Sequence, residues 1–197
     1  MKRSLRFACS LLGALALSIA LASCSLLSGD EAVVHDMVDD TMKIFKSTEG
    51  DDIASFADQS FVDTLNSYGV DADEFFSHCF KHLSWEIGDI KLSGDTGTVS
   101  LTITNADLNS AFELAGDRFD AYAETDEAQQ LFDEEGESAL VTRLFDFFYE
   151  IMDADEVETA TSEVTLEVFK NEDGSWEIDP DNEAFFKALY GGAELSL

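Results

Sequence analysis

Basic side chains are scarce in this chain of 197 residues, where 11 Lys and Arg stand against 42 Asp and Glu for a formal charge of −31. Nucleic-acid binders neutralise phosphates with Lys and Arg, so the deficit excludes a nucleic-acid partner. It also disfavours a body that lies on anionic lipid headgroups. A solvated acidic surface, weak divalent-cation binding or attraction to a cationic partner all fit. Proline occurs once, at Pro180, and cysteine three times, at Cys9, Cys24 and Cys79, too few for a disulfide scaffold. No apolar run reaches the ~20 residues that span a bilayer comfortably. A phosphate-cradling Gly loop, a Gly-x-Ser-x-Gly elbow, a Cys-x-x-Cys pair and an internal repeat are also missing. No cofactor is expected, and the reading leans away from an enzyme without closing the question.

What is present starts with a leader. Lys2, Arg3 and Arg6 precede an apolar run from Phe7 to Leu21, and small residues lead to Cys24. A basic stretch, a short apolar stretch and a small-residue cleavage site predict a signal peptide over 1–23, cut between Ser23 and Cys24. Leu21-Ala22-Ser23-Cys24 resembles the bacterial lipobox, which implies that the Cys24 thiol carries a diacylglyceryl group. The expected location is therefore the cell membrane, lipid-anchored and facing the extracytoplasmic side, with residues 24–29 as the tether. Loss of the leader removes Lys2, Arg3 and Arg6 and no acidic residue, which takes the formal charge from −31 to −34. Cys79 is then left without a disulfide partner, and its helical spacing with Phe75, Phe76, Phe80 and Leu83 predicts a buried thiol.

The body, 30–192, reads as one domain. Asp30 is expected to cap a helix with Val34, Met37, Val38, Thr41, Ile44 and Phe45 inward, ended by Gly50. A second helix is expected over Asp51–Asn66 with Ile53, Phe56, Ala57, Phe61 and Leu65 inward, and a third from Asp71. The period then changes to two. Ile87, Ile90 and Leu92 mark a strand whose phase breaks at Gly88-Asp89, which predicts a bulge, and Val99, Leu101 and Ile103 alternate with Ser and Thr after a turn. About fifty helical residues follow as a pair, capped by Asn105 or Asp107. Its stripes are Phe112, Ala115, Phe119 and Tyr122, then Leu140 to Met152, with acidic 124–137 as an exposed connection or a polar helix. A second hairpin runs through Val164, Leu166 and Val168, a turn at Asn171–Gly174, and Trp176 and Ile178. Asp179-Pro180 is read as the start of a last helix carrying Phe185, Phe186 and Leu189.

The class is therefore α+β, a curved antiparallel sheet of about four strands in two hairpins, packed by N-terminal, central and C-terminal helices. This order, with the strand wording from Trp85 to Leu92, Thr104-Asn105-Ala106-Asp107-Leu108 and Asp173-Gly174-Ser175-Trp176, resembles Gram-positive cell-envelope lipoproteins with an NTF2-like (cystatin-like) domain of unknown function. The resemblance implies a cone with a cavity at the wide end of the sheet, and no reaction. It suits a non-enzymatic module that binds a small apolar ligand, a peptide or an envelope protein, with homodimerisation through the open sheet face open. Some NTF2-like enzymes, ketosteroid isomerase and scytalone dehydratase among them, set an acid or base in that cavity. An isomerase, dehydratase or hydrolase is thus the alternative, with Asp89, Asp107, Tyr122 and Tyr149 as the cavity candidates, and a structural or assembly factor is the third reading. Glu74, His78 and His82 recur every four residues along one helix face, which suits either a metal or a plain solvated face; no metal is assigned.

Overall fold

The computed structural model describes residues 29–47 and 59–193. The predicted leader, the Ser23–Cys24 cleavage point, the lipid attachment site, Gly50 and the first half of the expected second helix lie outside these residues. Helix α1 (Gly29–Lys46) buries Val34, Val38, Met42 and Phe45, a stripe of nearly every fourth residue. Two expectations for it change. Asp30 sits inside the first turn and not at the cap, its carboxylate 2.9 Å from Lys170 Nζ, and Ile44 is 42% exposed.

After α2 (Gln59–Ser67) comes α3 (Ala72–Cys79), where Asp71 is the cap: its carboxylate accepts from the Glu74 amide at 2.9 Å. Strands β1 (Ser84–Ser93) and β2 (Thr96–Ala106) form the first hairpin. The bulge falls where the sequence puts it: Ile87 pairs with Leu101 and Ile90 with Val99, so Gly88 and Asp89 together face Ser100. The central helical stretch forms three helices, not a pair: α4 (Leu108–Ala123), α5 (Asp126–Glu135) and α6 (Glu137–Met152). Asp107, not Asn105, caps α4, accepting from the Ser110 amide at 3.1 Å. The buried stripe of α4 is Leu108, Ala111 and Ala115, whose two alanines suit the close packing of α4 on α6, while Phe112 stacks on Phe148 with centroids 4.4 Å apart.

Strands β3 (Thr159–Lys170) and β4 (Trp176–Ile178) complete one antiparallel sheet in the order β1-β2-β3-β4. Val99, Leu101, Ile103, Leu166, Val168 and Trp176 point inward. The alternate residues Ser100, Glu163, Thr165, Glu167 and Glu177 are exposed on the other face. The last helix, α7 (Glu183–Leu189), starts three residues later than expected. The reason is local: the Asp179 carboxylate accepts from the Asp181 amide, and Asn182 binds the Glu167 backbone through both ends of its amide, so Pro180 lies in a turn.

Helix α1 packs on both edge strands, β1 and β4, and α7 packs on β2 and β3, so helices cover the apolar face. Phe75 is fully buried and touches the rings of Phe61, Phe76, Phe112, Phe145 and Phe148 at centroid distances of 5.2–6.4 Å. Burying one such side chain contributes about 1.5–3 kcal/mol. The interior beneath the sheet is thus packed with side chains, and the space that remains lies at its margins.

Candidate functional site

A groove lined mainly by apolar side chains lies where α1, β4 and α7 meet. Met37, Thr41 and Phe45 come from α1, Trp176, Glu177, Ile178, Asp179 and Pro180 from β4 and the turn after it, and Phe185 and Phe186 from α7, around about 390 Å³. That volume falls at the small end of the ~300–1,000 Å³ typical of small-molecule sites. Strand alternation explains the lining: Trp176 and Ile178 turn inward, which sends Glu177 to the exposed face, where it bonds Asn171. The Thr41 hydroxyl is already spent on the Met37 carbonyl at 2.8 Å. Trp176 is 7% exposed, its Nε1–H lacks an acceptor among the described residues, and Lys170 Nζ sits 5.0 Å above its ring. The walls therefore offer mainly hydrocarbon and aromatic surface and one buried donor, with the carboxylates of Glu177 and Asp179 also in the lining.

The metal candidates do not converge. His78 donates from Nδ1 to the Asp153 carboxylate at 3.0 Å, His82 donates from Nε2 to the Met152 carbonyl at 2.7 Å, and Glu74 is exposed on the first turn of α3. Among the described residues no three His, Cys, Asp or Glu side chains gather as a metal site. What the two imidazoles do is clasp α3 to the end of α6, with Lys81 adding a 2.8 Å bond to the same Asp153 oxygen. Partial burial works to raise the Asp153 carboxyl, but the hydrogen bonds from Lys81 and His78 outweigh it and hold the group below the usual carboxylate range.

The four cavity candidates are likewise spread out. Tyr149 lies under His78, rings stacked 4.1 Å apart; its hydroxyl is buried without a hydrogen-bond partner among the described residues, and burial pushes its pKa up. Tyr122 lines a groove of about 640 Å³ along α5 and α6 with Glu127, Glu134, Arg143 and Asp146. Asp107 lines a third groove, of about 150 Å³, with Ser110 and Arg118, and Asp89 is exposed at the β1 bulge. No two of them line a common groove among those described. Cys79 is fully buried and burial alone pushes its thiol pKa up, which keeps it a thiol and a poor nucleophile.

One residue that matters was read only as an alternative cap. Asn105 has no exposed surface, and its Nδ2 donates to the carbonyls of Cys79 and Leu189, the last residues of α3 and α7. Helix-end carbonyls have no partner within their own helix, so a single side chain on β2 closes two C-termini at once. The signal that could have found it was an Asn on the inward phase of a strand, two residues after Ile103.

No family model and no curated protein matches the chain. A solved structure that it resembles is the crystal structure of a Bacillus subtilis protein, ycdA, described as a "putative lipoprotein". The TM-score is 0.51 at 14% identity, with 83% of this chain and 59% of that one covered. The chain thus spans less than two thirds of that protein, and at this identity the likeness shows the fold alone.

Proposed function

We propose that this protein is a lipid-anchored, non-enzymatic component of the cell envelope whose NTF2-like body binds a small apolar ligand in the groove between α1, β4 and α7. The observation that carries the reading is the groove's lining of Met37, Phe45, Trp176, Ile178, Pro180, Phe185 and Phe186, which supplies mainly apolar surface beside the carboxylates of Glu177 and Asp179. The dispersal of Asp89, Asp107, Tyr122 and Tyr149 supports binding over catalysis. The signal peptide and lipobox-like run ending at Cys24 support the anchor, and no described helix is long and apolar enough to cross a membrane. Gly29, the start of α1, is five positions after Cys24, so the tether reaches at most ~18 Å and keeps the groove near the bilayer surface.

The test is to purify the protein from its host and identify what accompanies it by mass spectrometry. An apolar compound that is lost from a Met37→Glu variant is expected. Saturable turnover of a substrate, abolished by changes in a groove, would replace this reading with the enzymatic one. Replacing Cys24 by Ala is expected to move the protein out of the membrane fraction, and continued membrane retention would remove the anchor. The fully packed interior around Phe75, Phe76, Phe80 and Phe148 favours an assembly role as the second reading.

A further inference from the structure

The flank of α1 beside the groove continues beyond it. Val33 is 53% exposed and Ile44 42% exposed, and both lie on the same side of the helix as Met37, which lines the groove. Spacings of four and seven residues keep these three within about 40° of one another around the axis. A largely apolar track therefore starts near the N-terminus of α1, passes Met37 and borders the groove, with the exposed Asp40 carboxylate on its edge.

The same terminus carries the tether. From Gly29 to Met37 is eight residues, or ~12 Å along the helix, and the five residues back to Cys24 reach up to ~18 Å. A group on the Cys24 sulfur can thus lie beside Met37 and extend into the lining. We propose that one acyl chain of the Cys24 lipid occupies the α1/β4/α7 groove when the protein is off the membrane. This rests on the groove reading and on lipidation of Cys24.

Two arguments favour this occupant over a free lipid. A tethered ligand meets its site at an effective concentration of the order of mM, whereas free lipid must be drawn from solution or bilayer. The formal charge of −34 left by leader removal repels anionic headgroups, and the tethered chain brings none. In a bilayer the chain exchanges into lipid, since each buried methylene is worth ~0.8 kcal/mol there as well. The groove then stands open for the ligand proposed above.

The buried core runs from Val34 to Ala193, so the leaderless chain from Cys24 onward keeps all of it. In that chain Cys24 and Cys79 are the remaining thiols, and the buried, high-pKa Cys79 leaves Cys24 as the one that alkylates. The experiment compares a hexadecyl thioether at Cys24 with a methyl thioether, reading the apparent Kd for the neutral probe Nile red. A rise of ~10-fold or more in the hexadecyl chain is expected from mM effective concentration. Equal affinity in the hexadecyl and methyl forms would overturn the inference and leave the groove reading standing. Failure of the methyl-capped chain to bind the probe would remove both.

Discussion

Asn105 and Gly191 meet where β2 ends against the C-terminus of α7, and each makes a claim that a single substitution can check. In Asn105→Leu the shape is nearly kept while the Cys79 and Leu189 carbonyls lose their donor in a buried site. Two buried acceptors left unpaired cost about 2–4 kcal/mol together, which appears as a fall of roughly 1–2 M in the urea midpoint. Gly191 has φ +59°, and a Cβ there would sit 1.9 Å from the Ala106 carbonyl oxygen. Gly94 has a similar φ, +65°, with nothing within 4 Å of an added Cβ. Gly94→Ala should therefore cost ~1 kcal/mol from backbone strain, and Gly191→Ala distinctly more, because the backbone of β2 must move. Equal losses in the two melts would show that the close approach is not real.

The α3–α6 clasp is the element whose behaviour depends on pH. Asp153 is held below the usual carboxylate range by the Lys81 and His78 bonds, so its ionised form stabilises the fold. That contribution is complete above the unfolded value of ~3.9 and is lost as pH falls through the lowered folded value. Asp153 is 45% exposed, which limits the bonds to about 1 kcal/mol in total. Asp153→Asn should lower stability by that amount at pH 7 and flatten the acid limb of a urea-midpoint profile from pH 7 to 3. A variant that tracks the parent in parallel down to pH 3 would contradict this. The strands were legible in the sequence because their period is short and local: Val99, Leu101 and Ile103 alternate with polar residues, and the break at Gly88-Asp89 appears as a bulge. The start of α7 was not, because Pro180 is an acceptable first helical residue, and what excludes it is Asn182 reaching a strand fifteen residues earlier. The α4 face was misread for a related reason, since Phe112 outranks Ala111 in hydrophobicity while close packing against α6 selects the smaller side chain. The groove was legible as residues but not as a site: Met37, Trp176 and Phe186 were each assigned to a buried face, and only the crossing of α1 over β4 shows that space remains between them.

At the scale of the whole molecule, charge works against the fold. With a formal charge of −34 after loss of the leader, repulsion among carboxylates destabilises the compact state, and salt screens it over ~10 Å at 0.1 M. The melting temperature of the leaderless chain should rise by several degrees between 10 mM and 0.5 M NaCl, and an unchanged or falling value would mean that ion pairs such as Lys43–Asp39 outweigh the repulsion. The same charge opposes contact with anionic lipid, so the proposed acyl anchor and the apolar groove are the two parts suited to hydrocarbon. The groove is the central claim, and Trp176 in its wall is its reporter. With Trp85 replaced by Phe, Trp176 is the remaining tryptophan, and Nile red titrated into the leaderless, methyl-capped chain should take up its excitation energy in a saturable, one-to-one curve. That curve should vanish in Met37→Glu and in Phe186→Glu, each checked by circular dichroism for an unchanged fold. Transfer that never saturates, or a curve untouched by both substitutions in folded protein, would contradict the account.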